Sequence, residues 1–243
     1  MRSLWREGMR CGLHNLLRPG NRTALRHALR LLLCPVDLWR YAEFDAVLTA
    51  YRGERLVLDI GSPKLLARVL ARRFGTKVIA GDIVQHIGRE VAVYARATRS
   101  GTLIPCVFDV RNLPFADSSV PLICSVSVIE HIGGDGDRSA LREMGRVLAP
   151  GGIAILTVPV CRAFHEIWLD RDPYGSQPRD GARVFFSYVY DQNSLYQRLI
   201  EPSGLTLVSM NLWTDEPPGW YESRYLPGLA SNPIRAAVTK LRD

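Results

Sequence analysis

The 243-residue sequence has no apolar run long enough to cross a bilayer. Its best candidate, Leu29–Val36, is interrupted by Arg30 and Pro35 and falls far short of the roughly 20 apolar residues a spanning helix needs. No small-residue cleavage site follows it, so it reads as a helix covering one face of a domain. Closely spaced cysteines are missing too. Cys11, Cys34, Cys106, Cys124 and Cys161 are odd in number and far apart, which gives neither a disulfide framework nor a zinc pattern, and no metal is expected. Cys106 and Cys124 lie in apolar runs and read as small core residues. This usage suits a reducing, cytoplasmic compartment. There is no internal repeat, no low-complexity tract, and no compact Lys/Arg run interleaved with aromatics of the kind a single-strand nucleic-acid groove uses.

What is present is an ordinary globular balance, 47% hydrophobic and 23% charged, enough to bury one sizeable core. The net charge is +7, and its densest part is the N-terminal stretch carrying Arg2, Arg6, Arg10, Arg18, Arg22, Arg26, Arg30 and Arg40. Spread at helical intervals, these arginines suit peripheral contact of basic helices with a membrane surface. Without clustering they disfavour a nucleic-acid partner.

From Arg55 short apolar runs alternate with amphipathic stretches. Leu56–Ile60, Lys77–Ala80, Leu103–Phe108, Leu122–Val126 and Ile153–Val158 read as buried strands. Pro63–Phe74, Val84–Thr98 and Asp137–Leu148 read as helices between them. Such alternation predicts an α/β fold, doubly wound, with a mostly parallel sheet and helices on both faces. Residues 1–51 are expected to form an N-terminal helical extension of the same domain, 52–216 the core, and 217–243 a tail with a short helix at Pro233–Leu241. After the fifth strand, residues 161–190 turn polar and aromatic and read as an insertion; a helix at Asp191–Ile200 and a strand at Leu205–Leu212 follow.

The chemistry-bearing residues stand at the ends of the strands, where open α/β sheets bind their ligands. The first is Leu58-Asp59-Ile60-Gly61-Ser62-Pro63-Lys64. An acid and then a glycine suit a cofactor lying over the strand end, and Gly61 allows a tight turn and close approach. Ser62 reads as an N-cap with Pro63 at the first helical position, leaving a helix start whose N–H groups and dipole suit a carboxylate, with Lys64 adding charge. Asp82 ends the second strand a little over twenty residues later, the place for an acid on ribose hydroxyls. Asp109 follows the third strand and suits an adenine amino group, with Leu113-Pro114-Phe115 as a wall; Asp117-Ser118 reads as a turn. The fourth strand runs into Ser125-Val126-Ser127-Val128-Ile129-Glu130-His131-Ile132. Finally, Ala149-Pro150-Gly151-Gly152 stops a helix before the next strand.

The order LDIG, GD, FDVRNLPF, SVSVIEHI and REMGRVLAPGGIAILTVP resembles class I, Rossmann-like S-adenosylmethionine (SAM) dependent methyltransferases, nearest to their small-molecule and glycan branch, over about Arg55–Pro159. The resemblance implies a seven-stranded sheet, SAM as cofactor, and methylation of a small-molecule or glycan acceptor at oxygen or nitrogen. It places Asp59 and Gly61 at the methionyl part of SAM, Asp82 at the ribose, and Asp109 and Val110 at the adenine; Ser62 and Ser127 are further candidate cofactor contacts. Glu130 and His131 correspond to the acid–histidine pair facing cofactor and substrate, with His131 as the candidate base. Ser62-Pro63-Lys64 stands where the family has further glycines, which keeps a non-catalytic SAM-fold module as an alternative. A nucleic-acid or protein methyltransferase is the other. It is disfavoured because Glu130-His131 stands where amide-nitrogen and adenine methylating enzymes resemble an Asn/Asp-Pro-Pro-Tyr/Phe motif. His165 with Glu166 is a second candidate pair. Phe164, Trp168, Tyr174, Phe185, Phe186 and Tyr188 are candidates for an apolar cap or for core.

Overall fold

The structure, a computed structural model, describes residues 2–17, 38–83, 101–172 and 177–214, together with the single positions 25, 29, 32 and 95. It contains two compact units, one of residues 1–45 with 209–243 and one of residues 46–208. In the first, helix α1 (Arg2–Leu16) buries Leu4 and Cys11 and leaves Arg6 and Arg10 exposed. Helix α2 (Leu38–Ala50) follows. No described helix is long and apolar enough to cross a membrane.

The second unit is built on a parallel sheet of strands β1 (Leu56–Ile60), β2 (Lys77–Asp82), β3 (Leu103–Val107), β4 (Val120–Val126) and β5 (Leu148–Thr157). Their order is β3-β2-β1-β4-β5. The chain winds outward from β1 to β3, then crosses back to lay β4 on the other side of β1. This reversal makes the carboxyl ends of β1 and β4 the switch point of an α/β fold of the Rossmann-like kind. β1 and β4 are almost wholly buried, as their unbroken apolar runs require. Among the described residues β3 has β2 as its one partner and carries Pro105, which an edge strand tolerates because its outer side needs no N–H donor.

Helix α3 (Lys64–Phe74) follows β1 and ends on Gly75, whose left-handed φ of 67° lets its N–H close on Ala71 O. Helix α4 (Gly136–Val147) lies between β4 and β5 and buries Ala140, Leu141, Met144 and Val147, spaced as one helical face. That face packs on Leu58, Ile60 and Ile123 of the sheet. Burying each such large side chain contributes about 1.5–3 kcal/mol.

Among the described residues the parallel sheet has five strands of the seven expected. Two sequence expectations fail here. Residues 205–212 are irregular chain, with Val208 and Leu212 exposed. An alternating apolar pattern makes a strand only where a sheet edge receives it. The Pro150-Gly151-Gly152 segment lies inside β5, not in a turn ahead of it; the pairing jumps from Val120–Leu148 to Leu122–Ile153 around it. The expected helix over residues 84–98 falls outside the described residues except position 95, and that over 233–241 falls wholly outside them.

The insertion is a second sheet, antiparallel, of β6 (His165–Leu169), β7 (Arg179–Asp180) and β8 (Arg183–Val189) in the order β6-β8-β7. The expected helix after it starts at Gln192 with a capping box between Asp191 and Ser194, and loosens into a π turn over Tyr196–Ile200.

Candidate active site at the carboxyl edge

Asp59 lies within β1, in register with Ala80 of β2 and Cys124 of β4. Its carboxylate is buried. Oδ1 receives the Cys124 thiol at 3.7 Å, and Oδ2 has no hydrogen-bond partner. Burial pushes the Asp59 carboxyl above its ordinary value, opposed by the charge of Lys64 and by contacts with Ser62 and Cys124. The Cys124 thiol is pushed well up, first by burial and then by the Asp59 charge, so it stays protonated and is no nucleophile.

Above it the chain turns at Gly61, whose φ is +64° and whose N–H donates to Gly81 O at 2.8 Å. A Cβ at Gly61 would stand 2.8 Å from Val128 Cγ1 and 3.3 Å from Asp82 Oδ2. Glycine is therefore required both by conformation and by space, and the ends of β1, β2 and β4 converge on it. Asp82, which ends β2, is thus brought to the Gly61 turn.

Ser62 is a correction. The helix begins at Lys64, with Pro63 in the cap position at φ −54° and ψ 123°, and no side chain caps it. The Ser62 hydroxyl is fully buried and accepts from Val126 N at 3.0 Å, fastening the loop to β4. A buried backbone N–H at the end of β4 must be satisfied, and that demand takes the hydroxyl from the helix. Lys64 Nζ folds back instead, donating to Gly61 O at 3.1 Å and Ser62 O at 2.9 Å. A lysine thus braces the loop where the resemblance led to an expectation of further glycines.

Asp109 is held by Arg111. The guanidinium Nε lies 3.0 Å from both carboxylate oxygens, NH2 lies 2.6 Å from Oδ2, and Arg111 N donates to Oδ1 at 2.9 Å. These bonds lower the Asp109 pKa and raise that of Arg111. Val110 packs into the core beside Phe108 and Leu113, so its side chain is not a free adenine contact. The Leu113–Phe115 wall is fixed by α4: Glu143 accepts from Leu113 N at 2.8 Å, and Arg146 donates to Leu113 O and Phe115 O at 3.0 and 2.9 Å. Asp117, expected only in a turn, also binds Arg146, at 2.6 Å.

Ser127, at the end of β4, adopts φ +52°, an uncommon left-handed conformation for a residue with a side chain. Its N–H reaches Thr157 O at 3.0 Å and Thr157 Oγ1 at 3.1 Å on β5. Strained backbone fixed by a neighbouring strand is typical of functional junctions. A 3₁₀ turn over Ile129–His131 follows. Glu130 is buried, while the His131 side chain is 21% exposed, with Nε2 3.9 Å from Glu130 Oε1. Its Nδ1 lies 2.6 Å from Phe186 O.

His165 and Glu166 do not form a pair. His165 Nδ1 lies 3.0 Å from Ala163 O and 3.6 Å from Cys161 Sγ, whereas Glu166 accepts from Trp168 Nε1 at 2.9 Å. Successive strand residues point to opposite faces. Phe164, Trp168, Phe185 and Tyr188 pack together as core; Phe186 lies against the His131 ring, with centroids 4.8 Å apart. Tyr174 lies outside the described residues. Sequence reasoning missed Thr157, Gln177 and Arg111. The first two act across long separations, but Asp-x-Arg is a local signal that was open to reading.

Residues 58–156 match a family model described as a methyltransferase domain. An uncharacterized methyltransferase of Mycobacterium sp. (strain JLS) is 35% identical over 150 residues, covering 57% of this chain and 47% of the relative. Another from strain KMS is 34% identical over 144 residues, with the same coverage of 57% and 47%. The chain spans about half the length of the curated relatives it matches. Among solved structures, YcgJ from Bacillus subtilis is 18% identical, with 83% of each chain covered and a TM-score of 0.54. Geranyl diphosphate C-methyltransferase from Streptomyces coelicolor A3(2), solved with Mg2+, geranyl diphosphate and S-adenosyl-L-homocysteine, is 15% identical, covers 95% of this chain and 81% of its own, and has a TM-score of 0.55. At such identities the two structures show the fold. Residues 58–156 thus resemble a methyltransferase domain, and the parallel sheet they build has the class I, Rossmann-like fold of these structures.

Proposed function

We propose that this chain, built on that class I fold, transfers a methyl group from SAM to a hydroxyl or amine of a small-molecule or glycan acceptor, with His131 taking the acceptor's proton. The observation that carries the reading is the junction at Gly61. A buried carboxylate oxygen of Asp59 without a donor lies at the end of β1, and the Asp82 carboxylate stands beside the turn. A lone buried acceptor calls for a cationic donor, and a carboxylate at a strand end suits paired hydroxyls. SAM has an ammonium and a ribose diol, so the residues present fit it: Asp59 for the ammonium, Asp82 for the diol, and the Leu113–Phe115 wall for the adenine. When bound, it supplies a methyl group already activated on a sulfonium.

The remaining work belongs to the chain. Burial of Asp59 and the bracing of the loop by Lys64 fix the turn before any ligand arrives. His131, partly exposed and next to the buried Glu130, is placed to accept a proton as an acceptor hydroxyl is alkylated. Among the described residues Cys106, Cys124 and Cys161 enter no disulfide, which suits a reducing cytoplasm. The test is calorimetric titration with S-adenosyl-L-homocysteine. Binding at one site per chain is expected; a folded protein that takes up none ends the reading.

A further inference from the structure

We infer that a β-bulge at Phe186 sets the tautomer of His131 and makes Nε2 its proton-accepting atom, so that the antiparallel insertion serves to position the base. The inference rests on the methyl-transfer reading above. It begins with the strand register. On β8, Ser187 stands opposite Ile167 of β6 and Phe185 stands opposite Trp168, which leaves Phe186 as an extra residue between two paired neighbours. Phe186 is half-buried between two buried pairs, Val184-Phe185 before it and Ser187-Tyr188 after it. A bulge leaves the extra residue outside the ladder and re-aims its groups.

Here the released group is the Phe186 carbonyl, 2.6 Å from His131 Nδ1. A carbonyl oxygen can only accept, so Nδ1 carries the hydrogen. The lone pair of the neutral ring is then on Nε2, because the partner of one ring nitrogen decides the state of the other. Nε2 is 3.9 Å from Glu130 Oε1, too far for a hydrogen bond but near enough to favour positive charge arriving on the ring.

The loop that carries His131 is fastened on every side by the insertion and the helix after it. Gln177 Nε2 donates to His131 O at 3.0 Å, and Tyr188 OH donates to Gly134 O at 2.8 Å. Arg198 NH2 donates to the same Gly134 O at 2.5 Å. Gly133 is pressed so closely to Phe185 and Pro178 that a Cβ there would stand 3.0 Å from each. The ring is also flanked by the Phe186 ring at an interplanar angle of 60°. A base held this way keeps one orientation through the reaction. In that step the acceptor's O–H bond breaks, its electron pair forms the new O–C bond to the methyl carbon, and its proton passes to Nε2. The sulfur keeps the electron pair of the broken S–C bond. The resulting imidazolium still donates from Nδ1 to Phe186 O.

The experiment is nitrogen-15 NMR of the full chain with labelled histidine, above the pH at which imidazole is protonated. The His131 signals are picked out from the five histidines by comparison with His131→Gln. Wild-type protein is expected to show His131 with hydrogen on Nδ1, whereas a histidine side chain free in water prefers Nε2–H. Deletion of Phe186, which restores the regular ladder, should move His131 toward Nε2–H while S-adenosyl-L-homocysteine binding is kept. A wild-type His131 with hydrogen on Nε2 overturns the inference, and it does so whether or not the deletion variant folds. Titration of the same samples with S-adenosyl-L-homocysteine separates the two levels: absent binding sinks the methyltransferase reading, while the tautomer answers only for the bulge.

Discussion

Arg198 and Asp137 form a two-pronged ion pair across 61 residues, with Nε 2.7 Å from Oδ2 and NH2 2.9 Å from Oδ1. Asp137 is wholly buried and also accepts from Tyr190 OH at 3.0 Å. The pair joins the start of α4 to the π turn behind the insertion, and Arg198 lies over the Tyr188 ring at 4.5 Å from its centroid. Replacing one partner strands a buried charge, at a cost of about 3–5 kcal/mol. Arg198→Met should lose that much in urea unfolding at neutral pH. The double variant Asp137→Asn/Arg198→Met should recover a good part of it. Additive losses in the two single variants would show that the charges do not act as a pair.

Asp59 is predicted to oppose stability and serve binding. Its folded-state pKa lies above the ordinary carboxylate value because burial penalises the charge. A raised folded pKa means a contribution that is present at low pH and is lost as pH rises through the folded value. Asp59→Asn should therefore raise the Tm of the cofactor-free protein at pH 7 and flatten its fall with rising pH. The same variant should bind S-adenosyl-L-homocysteine about tenfold more weakly or worse, since a hydrogen bond to a charged group contributes about 1.5–3 kcal/mol. Unchanged affinity would remove Asp59 from the cofactor site.

Asp82→Ala should leave the fold intact and weaken S-adenosyl-L-homocysteine binding by at least ~1 kcal/mol, from the loss of charged acceptors for two hydroxyls. The loss should shrink for an analogue lacking the ribose hydroxyls. Equal losses for both ligands would place Asp82 elsewhere in the site.

Gly61→Ala should destabilise the protein by about 1–3 kcal/mol, because alanine at φ +64° is strained and its Cβ meets Val128. Pairing it with Val128→Ala should return the steric part and leave the conformational part. Chemical denaturation of the three variants measures both.

Glu143 gives the acid limit. Its carboxyl is held below the ordinary value, first by hydrogen bonds from Arg146 and then by Leu113 N–H. A depressed folded pKa means stability that is complete above the unfolded value of about 4.5 and is lost as pH falls through the lower folded value. The Leu113–Phe115 wall should loosen below about pH 4.5, seen as a drop in urea midpoint that Glu143→Gln makes smaller.

The sequence by itself determined the strands of the parallel sheet and the places of Asp59, Gly61, Asp82 and the Glu130-His131 pair. These depend on near neighbours: an apolar run makes a buried strand, and the polar residue ending it falls at the edge where such sheets bind ligands. Tertiary structure decided what each group is free to do. Ser62 reads as a cap until Val126, 64 residues away, claims its hydroxyl. Residues 205–212 read as a strand, yet form none. His131 reads as a base of undefined tautomer until a bulge 55 residues on turns a carbonyl toward Nδ1. Local pattern fixes where the backbone's own bonds close; partners for the groups left over are chosen only when distant segments meet, because an unsatisfied buried donor or acceptor costs more than any local preference supplies.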